Sequence, residues 1–256
     1  MLEKTLLATL KAHPDCGVAL WRPRKLRAMK GFKAAAKHFD DQGDPKDAFD
    51  RFVLEELKDK LADEFDLERQ RGVKTLIVSE ENILGTMKRN FTERAFYQGA
   101  ARRLKIYADL LPKTPRKIAM GVREYSSVWT SAYFYSKERA NDLPAPDEMR
   151  LAMIADDRGW LNVTRDIQSV WPDAPIQMWR QEDLADHITS ICASITDLDT
   201  NMIVVPDGKI NARAPTYSTQ ILFEKNDLVP LSARYKRHLR RINRGQGIEW
   251  IGGPLS

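Results

Sequence analysis

The stretch "GVREYSSVWTSAYFYS", residues 121–136, overlaps the end of the apolar run "KIAMGV". An apolar strand that ends in an arginine just as a helix begins is suited to holding an anion. The guanidinium brings charge and a planar fork of donors, and the unpaired N–H groups of the helix start can face the same ligand. Arg123 is that arginine, with Ser126 close behind it. Ser127, Ser131 and Tyr135 recur at every fourth residue and so share one helical face. A hydroxyl from that face adds a hydrogen bond to an oxyanion held by Arg123.

Ligands of open α/β sheets sit at the carboxyl ends of the strands, and two further strand ends are readable. One is Ser79-Glu80-Glu81-Asn82; the other is Trp179-Arg180-Gln181-Glu182-Asp183. In the latter, Glu182 and Asp183 read as the start of a helix rather than as ligands. Charged and hydroxylic residues at all three ends predict a polar site along one sheet edge.

The elements that must position these residues follow from periodicity. An amphipathic helix over 2–13 precedes a short strand at 16–21 and a basic helix over 24–39. A long helix is predicted from Asp44-Pro45 to about Arg71, its stripe formed by Phe49, Phe52, Val53, Leu57, Leu61 and Phe65, with Gly72 as its stop. The runs 73–79, 116–122 and 174–180 are continuously apolar, as parallel strands buried on both faces require. Helices are expected over Thr92–Leu111, Ser126–Arg139, 147–155, 160–170, the stretch "EDLADHITSICASI" and 230–244, with a loop over 197–220. Strand–helix alternation of this kind predicts an α/β fold with a parallel sheet and right-handed crossovers, in one domain over residues 1–256. Its parts are a helical segment (1–72), a sheet core (73–196) and a loop with a basic C-terminal helix (197–256).

Composition narrows the class. No stretch approaches the ~20 apolar residues of a membrane span. No basic-then-apolar leader opens the sequence. Cys16 and Cys192 make neither a disulfide framework nor a metal pair, which points to a reducing, cytoplasmic compartment. The net charge of +5 is unevenly placed. Residues 22–37 hold seven Lys/Arg and no acid, residues 234–244 hold six, and residues 40–68 hold twelve Asp/Glu. Such basic segments suit anionic ligands, although a solvated helix face explains each equally well. Base stacking would need aromatics interleaved on the basic face, whereas those of 234–250 fall on the apolar side or beyond it, so a nucleic-acid partner is not expected.

"KIAMGVREYSSVWTSAYFYS" resembles the 3′-phosphate-binding element of sulfotransferases that use 3′-phosphoadenosine 5′-phosphosulfate (PAPS). That element is an apolar strand, an Arg, a short loop, then a helix with Ser eight residues after the Arg and an aromatic two further on. Arg123, Ser131 and Tyr133 fill those positions; Glu124-Tyr125 stand where the family often has Asn/Asp-Pro. "TLIVSEENILG" and "WLNVTRDIQSVWPDAPIQMWRQEDL" resemble the neighbouring strand, loop and helix of bacterial sulfotransferase-like proteins. "RYKRHLRRINR" sits where such proteins often place a closing helix, and the similarity covers most of residues 70–245.

The resemblance implies a three-layer α/β sandwich of the P-loop NTPase type with a mainly parallel sheet. It also implies PAPS as sulfuryl donor, its product 3′,5′-adenosine bisphosphate (PAP), a hydroxyl of a carbohydrate or small molecule as acceptor, and no metal. Arg123, Ser127, Ser131 and Tyr133 are the implied cofactor residues. Glu80, with Glu81 as the alternative, stands where the family carries a catalytic His or acid; a loop carboxylate capping a turn is the other reading. The family's first strand and its GxxKTGTT-type phosphosulfate loop have no counterpart here. "VPDGKINA" (205–212) has Gly-Lys without the spacing. Either a shortened start or a degenerate protein accounts for the gap, and in both cases weak or no transfer is expected. A non-catalytic binding module of the same fold, or a P-loop kinase or NTPase relative, are the alternatives.

Overall fold

A computed structural model describes residues 1–29, 32, 48–139, 143–207 and 222–252, with side chains from residue 51 onward in the helix that begins at Ala48. The chain is α/β with parallel strands, and its residues gather into two compact units. The first comprises Met1–Ile83, Arg102–Arg116 and Leu184–Gly208; the second comprises Leu84–Ala101, Lys117–Asp183 and Lys209–Ser256.

In the first unit β1 (Val18–Trp21) pairs in parallel with β2 (Thr75–Val78), Val18 opposite Thr75 and Trp21 opposite Val78. Helix α1 (Leu2–Ala12) packs on β1. Helix α2 (Pro23–Ala28) begins with proline in its first turn, where a missing N–H costs nothing. It ends at Met29, in extended backbone, well short of residue 39; residues 30, 31 and 33–39 of the expected basic helix lie outside the described residues. So does the Asp44-Pro45 start of the long helix, described as α3 (Ala48–Gln70). Leu57 and Leu61 of its stripe are fully buried, whereas Phe52 is 61% exposed. Gly72, with φ +83°, turns the chain into β2 as expected of a helix stop.

The base of α3 is fixed to β1 through Glu68. Its Oε1 accepts from the Trp21 indole and from Lys25 Nζ, both at 2.9 Å, and Lys25 lies 4.4 Å from the Trp21 ring centroid. Desolvation opposes the ionised carboxylate, but these hydrogen bonds outweigh it and hold the carboxyl below the usual range.

In the second unit the strands run β3-β4-β5, all parallel: β3 (Ile118–Val122), β4 (Ile176–Arg180) and β5 (Ile248–Trp250). The central strand is the most buried, with Ile176 and Met178 inaccessible to solvent, which explains its unbroken apolar run. Strand β5 is a finding of the structure, since "IEW" is too short to stand out as a strand. The strands therefore form two small sheets, of two and three strands, instead of the single larger sheet expected.

The predicted helix Thr92–Leu111 is two helices, α4 (Met87–Glu93) and α5 (Ala100–Leu110). Arg94 and Tyr97 take positive φ between them, and the Asn90 side chain accepts the Tyr97 N–H at 3.1 Å. Five residues of unbroken helix would rotate Phe96 about 140° away from Phe91. The break brings both into one aromatic core: Phe91 packs on Trp129 and Tyr133, and Phe96 on Trp129, Tyr125 and Trp160.

Three helices follow: α6 (Tyr125–Lys137), α7 (Pro146–Ala155) and α8 (Trp160–Val170). Helix α9 (Leu184–Thr196), which belongs to the first unit, is preceded by a 3-10 turn at Gln181–Asp183, in agreement with the helix start read there. The loop expected over 197–220 is described as far as residue 207 and holds a turn at Thr200–Met202; most of "VPDGKINA" lies outside the described residues. The last helix, α10 (Lys225–Asn243), starts before Pro230 rather than at it. Asp227 accepts the Glu224 N–H at 2.8 Å and the Arg150 guanidinium at 2.9 Å, which fixes the earlier start. Tyr235, Leu239 and Ile242 form its buried side, as the sequence predicts.

Burial ranks the phenylalanines. Phe91→Ala is expected to cost about 3–5 kcal/mol, and Phe52→Ala under about 1 kcal/mol. Urea unfolding of the two variants measures both; equal losses would show that the aromatic core is not the stabilising element.

Candidate functional site

Strand β3 delivers Arg123 at its carboxyl end, two residues before α6 begins, so the predicted strand–arginine–helix order is present. Arg123, Ser127 and Ser131 are partly exposed, and Tyr135 on the same helix is exposed with the Arg139 guanidinium 3.7 Å from its ring centroid. The start of α6, however, already holds an anion. Glu124 is its N-cap, and its Oε2 accepts the Ser127 N–H at 3.1 Å and the Ser126 hydroxyl. A carboxylate there satisfies a free donor and complements the helix dipole. The Glu124 N–H in turn donates to Glu182 at 2.9 Å.

Tyr133, expected at the cofactor, is buried in the aromatic core. Its hydroxyl donates to the Pro144 carbonyl at 2.7 Å, and burial raises its pKa. Tyr125, next to the cap, has the largest structural role. Its oxygen accepts the Trp160 N–H at 2.8 Å and lies 2.7 Å from His238 Nδ1. The neutral imidazole with its proton on Nε2 is the tautomer that lets the tyrosine hydroxyl donate to Nδ1 and so satisfy its own O–H. The Trp160 indole donates to the Arg123 carbonyl at 2.7 Å, which fixes the backbone that carries the arginine. Arg234 stands over the Tyr125 ring, its charge centre 4.9 Å from the centroid, and donates to the carbonyls of Met153, at 2.8 Å, and Asp156.

This buried group makes Gly159 obligatory. A Cβ there would lie 2.0 Å from the Tyr125 hydroxyl and 2.8 Å from His238 Nδ1. Tyr125, Gly159, Trp160, Arg234 and His238 carry no shared motif, and sequence reading placed none of them at the site.

Glu80 and Glu81 belong to the first unit. Glu80 is buried; Arg27 Nε donates to its Oε2 at 3.2 Å, Arg27 Nη2 to its Oε1, and the Asn82 N–H to Oε1 at 3.0 Å. The hydrogen bond to Glu80 raises the pKa of Arg27. A carboxylate so held serves as a base only if the ion pair opens. Glu81 meets Arg27 at 3.2 Å and its side chain is 70% exposed, so it is the more accessible of the two. The turn-capping reading of Glu80 thus has a concrete form in its bond to the Asn82 N–H.

Among the described residues no group of three or more His, Cys, Asp or Glu is placed to hold a metal ion. No described helix is long and apolar enough to cross a membrane. No family model, curated protein or solved structure matches the chain.

Two predictions follow from the buried group. Gly159→Ala drives a methyl into the Tyr125 hydroxyl and is expected to cost about 3 kcal/mol; a melting temperature within 2 °C of wild type would contradict the packing. Desolvation, reinforced by Arg237, Arg234 and Arg241, lowers the His238 pKa to about 4, against an unfolded value near 6.5. The unfolded chain therefore gains a proton first as pH falls. Stability should decline from about pH 6.5 and level off below pH 4, by on the order of 2–3 kcal/mol from this residue. The difference in pH dependence between wild type and His238→Asn isolates that share, and an NMR titration midpoint near 6.5 would overturn it.

Proposed function

We propose that the chain binds a nucleotide phosphate at the carboxyl end of β3, with Arg123 as the cation. The carrying observation is the placement of Arg123 at the end of a parallel strand, directly before a helix that presents Ser127 and Ser131. On the resemblance of this element, the ligand is PAPS or PAP, and the reaction is sulfuryl transfer to a hydroxyl of a carbohydrate or small molecule. In that reaction the acceptor oxygen attacks sulfur, the acceptor proton passes to a base and PAP leaves. Arg123 and the serines fit a phosphate. Tyr133 does not stack on a nucleotide while it is buried in the core. Glu124 holds the Ser127 N–H that a phosphate would use, so binding must displace its carboxylate or bypass it.

A second reading, a binding module that performs no transfer, is favoured by the engagement of Glu80 with Arg27. Only the transfer assay separates the two.

Titration with PAP tests the site. Binding should weaken at least about tenfold in Arg123→Ala, through loss of a charge-assisted hydrogen bond. It should tighten several-fold in Glu124→Gln, which removes the competing charge. An unchanged affinity in Arg123→Ala, or no binding at millimolar PAP, would discard the assignment. Binding without sulfate transfer from radiolabelled PAPS to hydroxyl acceptors would select the binding module.

A further inference from the structure

A groove of about 310 Å³ opens in the second unit between α8, the end of α10 and β5. Its apolar lining comes from Leu161, Ile242 and Ile248, and Arg165, Arg241 and Arg244 line it with them. Among the described residues no carboxylate lines it. We propose that this groove is a binding site for a small, multiply charged phosphate, a di- or polyphosphate, seated among the three guanidinium groups.

Several arginines of the unit are neutralised by carboxylates. Arg150 pairs with Asp227, Arg180 with Asp183 and Arg94 with Glu148. Arg165, Arg241 and Arg244 form no ion pair or side-chain hydrogen bond among the described residues. Asp166, the carboxylate nearest Arg165 in sequence, is taken by Arg158. Cations at the carboxyl end of a helix offset its dipole, which accounts for Arg241 and Arg244 on α10. It does not account for Arg165, which lies in the middle of α8 and lines the same groove. Like charges gathered without a counter-charge repel one another, and a polyphosphate relieves that repulsion while offering each guanidinium a fork of oxygens.

Arg237, Arg234 and Arg241 also contribute, after desolvation, to the lowered pKa of His238, so the positive potential reaches into α10 itself. The size favours a small ligand, since about 300 Å³ is the lower end of the range for small-molecule pockets. Among the described residues no aromatic side chain lines the groove for bases to stack on, which argues against single-stranded nucleic acid.

The site is independent of Arg123, and the experiment keeps the two apart. Inorganic pyrophosphate and tripolyphosphate are titrated calorimetrically into the full chain at fixed ionic strength, beside a 20-base-pair DNA duplex. The oligophosphates are expected to bind. Arg165→Gln, Arg241→Gln and Arg244→Gln should each weaken them about tenfold, the loss of one charge-assisted contact. Arg240→Gln, an exposed arginine of α10 outside the groove, should leave them unchanged. No binding at millimolar pyrophosphate, wild-type affinity in the three groove variants, or an equal loss in Arg240→Gln would overturn the site. Tight duplex binding that pyrophosphate does not displace would also overturn it, in favour of a polymer surface. Unaltered melting temperatures in the glutamine variants exclude unfolding as the cause of lost binding.

Discussion

The second unit turns on one phenolic oxygen. Tyr125 lies at the start of α6, yet its hydroxyl bridges the first N–H of α8 and the imidazole of α10, 113 residues away. Each partner is buried, so each would cost about 1–3 kcal/mol if left without its hydrogen bond. The bridge also dictates chemistry around it. His238 must stay neutral to accept the proton, and burial with the neighbouring arginines keeps it so. Gly159 must lack a side chain because the hydroxyl occupies the space a Cβ would need. Arg234 gives up bulk water to stand over the ring and donate to the carbonyls of Met153 and Asp156 near the end of α7.

That bridge bears directly on the strand end with Arg123. Glu124 and Tyr125, the two residues that follow Arg123, both have identifiable work. Glu124 closes the helix start with its own carboxylate, while Tyr125 turns inward to the bridge. An Asn-Pro or Asp-Pro pair would supply a cap but no phenol. The cap sets a carboxylate beside the backbone that carries Arg123, and the bridge makes the start of α6 a rigid junction.

Much of the fold was legible because its signals are local. Buried parallel strands announce themselves as apolar runs, and β3 and β4 were found that way. The C-terminal helix showed its apolar side through Tyr235, Leu239 and Ile242. Local signals failed where tertiary packing overrode them. The apolar periodicity of Thr92–Leu111 continues through a break that exists only because Phe91 and Phe96 share a core. Pro230 reads as a helix start until the Asp227 cap and its pairing with Arg150 place the start earlier. The separation into two small sheets depends on which strands pair, and strand composition does not encode that. At the candidate site, the strand–arginine–helix order around Arg123 was legible from spacing. Tyr133 was misread because a buried aromatic and a stacking aromatic look alike in a helix. The Tyr125 group was invisible, since its members are scattered from residue 125 to residue 238.

The two basic segments look alike by composition, but the structure distinguishes them. In the first, Arg22 pairs with Glu3, Lys25 with Glu64 and Glu68, and Arg27 with Glu80 and Glu81. Its described charge is largely spent on tying α2 to α1, to α3 and to the end of β2. In the second, Arg234 is buried on backbone carbonyls, while Lys236, Arg237, Arg240, Arg241 and Arg244 face solvent without carboxylate partners among the described residues. Internal pairing offsets the charges of Arg22, Lys25 and Arg27 within a few ångströms. Among the described residues the charges of Arg237, Arg240, Arg241 and Arg244 have no such pairing and are screened by solvent ions. A net charge of +5 thus understates the positive potential on α10 and overstates it on α2. Where the carboxylates stand, rather than how many basic residues a segment holds, decides which surface can attract an anion.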